Sequence, residues 1–229
     1  MTGTPHRHFH DELAHLKDRL LQMSGQAQDA LDRSVRAVLQ RDGAAADRVL
    51  REDRQIDALE VEIEEMVTNL LALHQPMARD LRLILAALKI SNDLERVGDH
   101  AANIAGCAQR LIDQRPITPE PEVVEMGRLA RGMLADAIDA FVRGDSTLGR
   151  DVCGRDDQVD ALHRSVFRIL LTHMAEDPHT IGAAMELFLV SRNLERVADL
   201  ATNVAEDVVF LVEGKSIKHG VEQRGAGPE

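Results

Sequence analysis

The chain has 229 residues, 44% of them hydrophobic but only 2% aromatic, with no Trp or Tyr; this is enough for a core and disfavours the aromatic and β-branched strands of sandwiches and barrels. Its formal net charge of −12 argues against the basic stripe that nucleic-acid binding needs and fits cation binding or simply solubility. Two cysteines without a CxxC, an N-terminal MTGTPHRHFHDEL without a basic-then-apolar order, and no apolar run near the roughly 20 residues of a bilayer span argue against a zinc ribbon, a disulfide framework, a signal peptide and a transmembrane segment. A cytoplasmic protein is expected.

In chain order, the first helix is expected over about 8–41, where Leu, Ala and Met recur at three- and four-residue steps, up to the turn signal Asp42-Gly43. A second runs over about 44–73 and is broken by His74-Gln75-Pro76. A third, about 77–113, carries an unbroken seam of Ala87, Ile90, Leu94, Val97, Ala101, Ile104, Ala108 and Leu111. QRPITPEP, residues 114–121, holds three prolines in eight and marks a boundary. A fourth helix follows over about 122–143, closed by Gly144-Asp145. A fifth spans about 146–175 up to Asp177-Pro178, and a sixth spans about 179–213 on a seam of Val190, Leu194, Val197, Ala201, Val204, Val208 and Leu211. The polar tail, 216–229, is expected to fray.

The halves repeat. DRQIDAL (53–59) aligns with DDQVDAL (156–162), and SNDLERVGDHAANIA with SRNLERVADLATNVA at nine of fifteen identical positions. The expected fold is therefore all-α: two tandem three-helix bundles, 1–115 and 116–215, made by internal duplication.

The repeated segment stacks Ser91, Glu95, Asp99 and Asn103 on one helix face, and Ser191, Glu195, Asp199 and Asn203 on the other copy's. Like charges four apart cost an isolated helix roughly 0.2–0.5 kcal/mol, so something should compensate. Of five acidic pairs at this spacing, four match across the repeat: Asp53/Asp57 with Asp156/Asp160 on the second helices, and Glu95/Asp99 with Glu195/Asp199 on the third. Antiparallel neighbours joined by a short loop bring these pairs to similar heights. Oxygen-bearing side chains so placed suit a divalent or trivalent hard cation, iron first, with manganese, magnesium or zinc as alternatives. Structural pairing with Arg96 and Arg196 is the competing reading.

Other patterns are weaker. Glu12-x-x-His15 has di-iron spacing, but such bundles need the motif on two helices; Asp160-x-x-His163 is the nearest second, and Asp57 has Glu60 at the matching place. Cys107 and His100 read more simply as packing and surface residues. No Ser-His-Asp grouping, P-loop or GxGxxG occurs, so an enzyme is not expected.

Five segments together resemble the PhoU family of phosphate-transport regulatory proteins over nearly the whole chain. They are FHDELAHLKDRLLQMSGQAQDAL, HQPMARDLRLI with Pro76, Asp80 and Arg82, the pair LERVGD and LERVAD, and VEGKSIKHG. The resemblance implies two bundles lying side by side. It implies iron or another metal at the paired signatures, hence Glu95, Asp99, Glu195 and Asp199 as ligands, with Asp53, Asp57, Asp156, Asp160, Asn103 and Asn203 assisting. It further implies negative regulation, when phosphate is plentiful, of a phosphate-sensing histidine kinase and of the ATPase or membrane components of a phosphate ABC transporter, at the inner membrane face. A homodimer is expected. Two departures stand out: Ala198 replaces Gly98, and nothing in the second half matches Asp80-Leu81-Arg82. The rival readings are a metal-dependent oxidoreductase and a metal-free scaffold or paralogue serving another transporter.

Overall fold

The computed structural model describes residues 5–117 and 121–217. All but the first two residues of the expected tail therefore lie outside the described residues. The fold is all-α, and no strand occurs among the described residues. The order is α1 (Pro5–Gln40), α2 (Gly43–Glu52), α3 (Arg54–His74), α4 (Ala78–Ile112), then α5 (Pro121–Arg143), α6 (Ser146–Cys153), α7 (Asp156–Glu176), a 3-10 turn (Pro178–Thr180) and α8 (Ile181–Glu213).

The six expected helices are all present, with one refinement: the second helix of each bundle is divided. At Asp53 the chain keeps helical angles, but Ile56 N–H bonds Asp53 C=O three residues back. At Gly154-Arg155, bonds from Gly154 to Asp151 and from Arg155 to Val152 tighten the turn in the same way. Each break sets an aspartate, Asp53 or Asp156, at the start of the following helix.

The turns leading into α2 and α6 are also copies. Asp42 and Asp145 cap the helix starts, accepting from Ala45 N–H and from Thr147 and Leu148 N–H. The residue before each is left-handed, Arg41 at φ 53° and Gly144 at φ 65°. Gly144 adopts this without strain. Arg41 adopts it while its guanidinium caps the end of α4, donating to the carbonyls of Leu111 and Gln114.

Every expected seam residue of α4 and α8 is buried. The two long helices pack against each other at the centre, and α1 packs against α5 beside them. One hydrophobic core therefore runs through both halves, from Leu16 and Leu20 to Met133 and Leu134. A three-helix unit alone would leave the inner faces of α4 and α8 in water, so each copy completes the other.

Candidate functional site

In the first half, Leu94 is fully buried and sets the register of α4. The next residue, Glu95, consequently sits half-buried at the edge of the core, with Asp99 one turn on. Gly98 lets α3 come close: a Cβ there would lie 2.9 Å from Ile56 Cδ1 and 3.2 Å from Asp53 Oδ1. This approach sets the Asp53 carboxylate against α4. Burial pushes Glu95 up to about 7, and repulsion from Asp99, Glu60, Asp57 and Asp53 adds to the rise. Asp53 is raised by burial and then by Asp57 and Asp99. Among the described residues, none makes an ion pair with Asp53, Asp57, Glu95 or Asp99; Arg96, next to Glu95 in sequence, turns back to Asp93 at 3.5 Å.

The second half builds the same cluster with a different balance. Asp156 is pushed up to about 6 by burial, then by Asp199, Asp160, Asp157 and Glu206. Glu195 is raised by burial and by Asp199, while Arg196 works against the rise. Arg196 reaches Asp199 Oδ2 at 2.8 Å and Glu195 Oε2 at 3.4 Å, and Arg164 lies 3.6 Å from Asp160. Where the first half has Glu60, the second has His163. Its Nδ1 meets Ser191 Oγ at 3.0 Å, its ring stacks on Phe188, and burial holds it below the usual imidazole range.

The structure thus brings together Asp53, Asp57, Glu95 and Asp99 in one half, and Asp156, Asp160, Glu195 and Asp199 in the other. It separates the rest of the ladder. Ser91 and Ser191 are buried and donate to the carbonyls of their own helices, Leu88 and Phe188, at 2.8 Å. Asn203 shares a depression with Asp156 and Asp199, whereas Asn103 lies in a different cleft with His100 and Arg96. Glu12 bonds His74 Nε2 at 2.7 Å and His8 Nε2 at 3.2 Å. His74 ends α3 while Asp57 lies in its first turn. At about 1.5 Å per residue the two are roughly 25 Å apart, so Glu12-x-x-His15 belongs to neither cluster. Cys107 is buried, its thiol pushed up to about 12 by burial and by Glu186.

Glu60 and Glu206 join the clusters without having been singled out from sequence. Glu60 was within reach, since it occupies the repeat position of His163. Glu206 has no such signal, because its repeat position is Gly106.

The clustered acidic groups are carboxylates, with an amide beside the second set and His163, turned to Ser191, at its edge. That donor set fits a hard cation and offers little to a soft one. The raised carboxylates supply the electrostatic reason: a cation would relieve repulsion that nothing in the first cluster now offsets. Among the described residues, no three His, Cys, Asp or Glu side chains already converge in ligating geometry, so ligation requires these carboxylates to turn toward one another.

A duplicated all-helical protein with one acidic cluster per repeat is a narrow class. The PhoU domain family matches this chain twice, over residues 20–108 and 123–208. A Caulobacter vibrioides protein named phosphate-specific transport system accessory protein PhoU homolog is 41% identical over 95% of each chain. The crystal structure of PhoU from Pseudomonas aeruginosa superposes with a TM-score of 0.87 at 36% identity, covering 90% of this chain and all of that one. A phosphate transport system regulatory protein PhoU from Streptococcus pneumoniae gives 0.85 at 27% identity, covering 92% and 99%. The chain belongs to the PhoU family. No described helix is long and apolar enough to cross a membrane.

Proposed function

We propose that this protein is a non-enzymatic accessory protein of a phosphate transport system, and that it restrains phosphate uptake and phosphate-starvation signalling. In this reading it links the ATPase or membrane components of a phosphate ABC transporter to a sensor histidine kinase. It works in the cytoplasm, peripheral to the inner membrane face, as a homodimer. The observation that carries the reading is similarity along nearly the full length to proteins named for that accessory role. Deleting the gene should raise expression of phosphate-starvation genes in phosphate-rich medium. Continued repression in the deletion strain, together with no transporter or kinase component co-purifying with the protein, would refute it.

The acidic clusters enter this proposal as cation sites. Asp53, Asp57, Glu95 and Asp99 hold one, and Asp156, Asp160, Glu195 and Asp199 the other, with Asn203 beside the second. A bound iron, manganese or magnesium ion would supply positive charge and cross-link α3 to α4, or α7 to α8. The support is the repeated carboxylate set and the repulsion within it, which no ion pair with a described residue offsets in the first half.

A further inference from the structure

A cleft of about 800 Å³ lies between α4 and α8 and differs in character from the acidic clusters. Four arginines line it, Arg96, Arg110, Arg192 and Arg196, together with His100 and Asn193, and no carboxylate is among the lining residues. In a chain of net charge −12, four guanidiniums gathered in one concave place need a reason, since they repel one another. Three are held by carboxylates outside the lining: Arg96 by Asp93 at 3.5 Å, Arg110 by Glu186 at 2.8 Å, and Arg196 by Asp199 at 2.8 Å. Each keeps further N–H donors for the cleft, because a guanidinium has five. Arg192 makes no ion pair with a described residue.

The duplication provides an internal control. The repeat places a second cleft, of about 410 Å³, at the matching side of the α4–α8 pair, lined by Lys89, Asn92, Asp93, Asn203 and Asp207, with Glu64. Position by position, Asn92 corresponds to Arg192, Asp93 to Asn193, and Asp207 to Cys107. Three carboxylates and one lysine line this copy, and Lys89 is bonded to Asp207 at 3.4 Å. At the matching places the arginine-lined cleft has Asn193 and Cys107 for two carboxylates, Arg192 for an amide and Leu189 for Lys89. One scaffold therefore carries an acidic cleft and a basic one, and the difference lies in the side chains facing the cleft.

We infer that the arginine-lined cleft between α4 and α8 binds a small anion carrying a chain of two or more phosphoryl groups. Planar guanidiniums recognise phosphoryl oxygens by paired hydrogen bonds. A single tetrahedral anion would fill only a small part of a cleft of about 800 Å³ and could not touch arginines on all its sides. The volume falls in the range of small-molecule sites, ~300–1,000 Å³. The acidic remainder of the surface disfavours long polyanions such as nucleic acid. The phosphoryl chain is either free or attached to a nucleoside. This inference does not rest on the transport reading, and the cleft meets the second acidic cluster through Arg196.

The test is calorimetric titration of the full chain, in about 0.15 M salt, with tripolyphosphate, ATP and orthophosphate in parallel. Tripolyphosphate should bind saturably and at least about tenfold more tightly than orthophosphate. ATP matching tripolyphosphate identifies the phosphoryl chain as what is read; ATP binding more tightly identifies a nucleoside-borne chain. Arg192→Gln should weaken tripolyphosphate about tenfold. Arg168→Gln, the same charge change on the exposed face of α7, should leave it within twofold. No saturable tripolyphosphate binding, orthophosphate binding equally well, or equal losses in the two variants would overturn the assignment. Circular dichroism of both variants, matching wild type, verifies that the fold is intact.

Discussion

The two acidic clusters come from one duplicated segment, LERV followed by a small residue and Asp, yet they differ in charge balance. In the second, Arg196 lies on Asp199 and Glu195; in the first, Arg96 turns away to Asp93. The cause lies three residues back. Asp93 offers Arg96 a carboxylate. Asn193 does not: it donates to Leu189 C=O at 2.8 Å and meets His100 Nδ1 at 2.9 Å. One exchange outside the motif therefore leaves the first cluster without a cation and gives the second a resident one. Duplicated motifs can match at every carboxylate and still differ in charge balance.

Beneath that difference the packing is symmetric, and the largest expected effect tests this. Leu94 and Leu194 are both fully buried at equivalent places. Leu94→Ala and Leu194→Ala should each cost about 2–5 kcal/mol. Because one core spans both halves, chemical denaturation of either variant should remain a single transition. Two separated transitions would show that the halves fold independently.

A smaller effect should distinguish the clusters. The folded Glu95 carboxyl sits at about 7 against 4.5 when unperturbed. Between these values the folded protein holds more protons than the unfolded chain, so stability falls as pH rises through that window. Metal-free protein should melt higher at pH 5.5 than at pH 8. Glu95→Gln should raise the pH 8 melting temperature by about 2–4 °C, the shift expected for ~1 kcal/mol in a chain of this size. Glu195→Gln should gain less, because it also removes a partner of Arg196. Equal gains in thermal scans of chelator-treated protein would contradict the asymmetry.

The smallest effect concerns its origin. Asn193→Asp should draw Arg196 from Asp199 and strengthen metal binding at the second cluster by no more than about fivefold, the range of an exposed ion pair. Asp93→Asn should release Arg96 toward Asp99 and weaken the first cluster by a similar factor. Isotherms unchanged by both substitutions would place the cause elsewhere.

Much of this was legible in the residues. The seams of α4 and α8 followed from their three- and four-residue steps, and the acidic pairs from their matching register. The divisions at Asp53 and Gly154-Arg155 were not, because the hydrophobic period continues across both, and a slight tightening leaves no trace in it. Arg41 hid the left-handed turn that Gly144 announces openly. Ser91 and Ser191 share the helix face of the carboxylates, but short hydroxyls near the core bond their own backbone. The packing of α4 on α8, which gathers four arginines, depends on contacts between halves that no local pattern encodes.

The central claim is that the carboxylate clusters are cation sites and that the first is the stronger. Its most direct test is calorimetric titration of wild type, Glu95→Ala/Asp99→Ala and Glu195→Ala/Asp199→Ala with Mn²⁺ at pH 8, with metal content measured after dialysis. The account predicts two classes of site in wild type, the tighter lost in the first double variant and the weaker in the second. Equal Mn²⁺ affinity and content in all three proteins would contradict it.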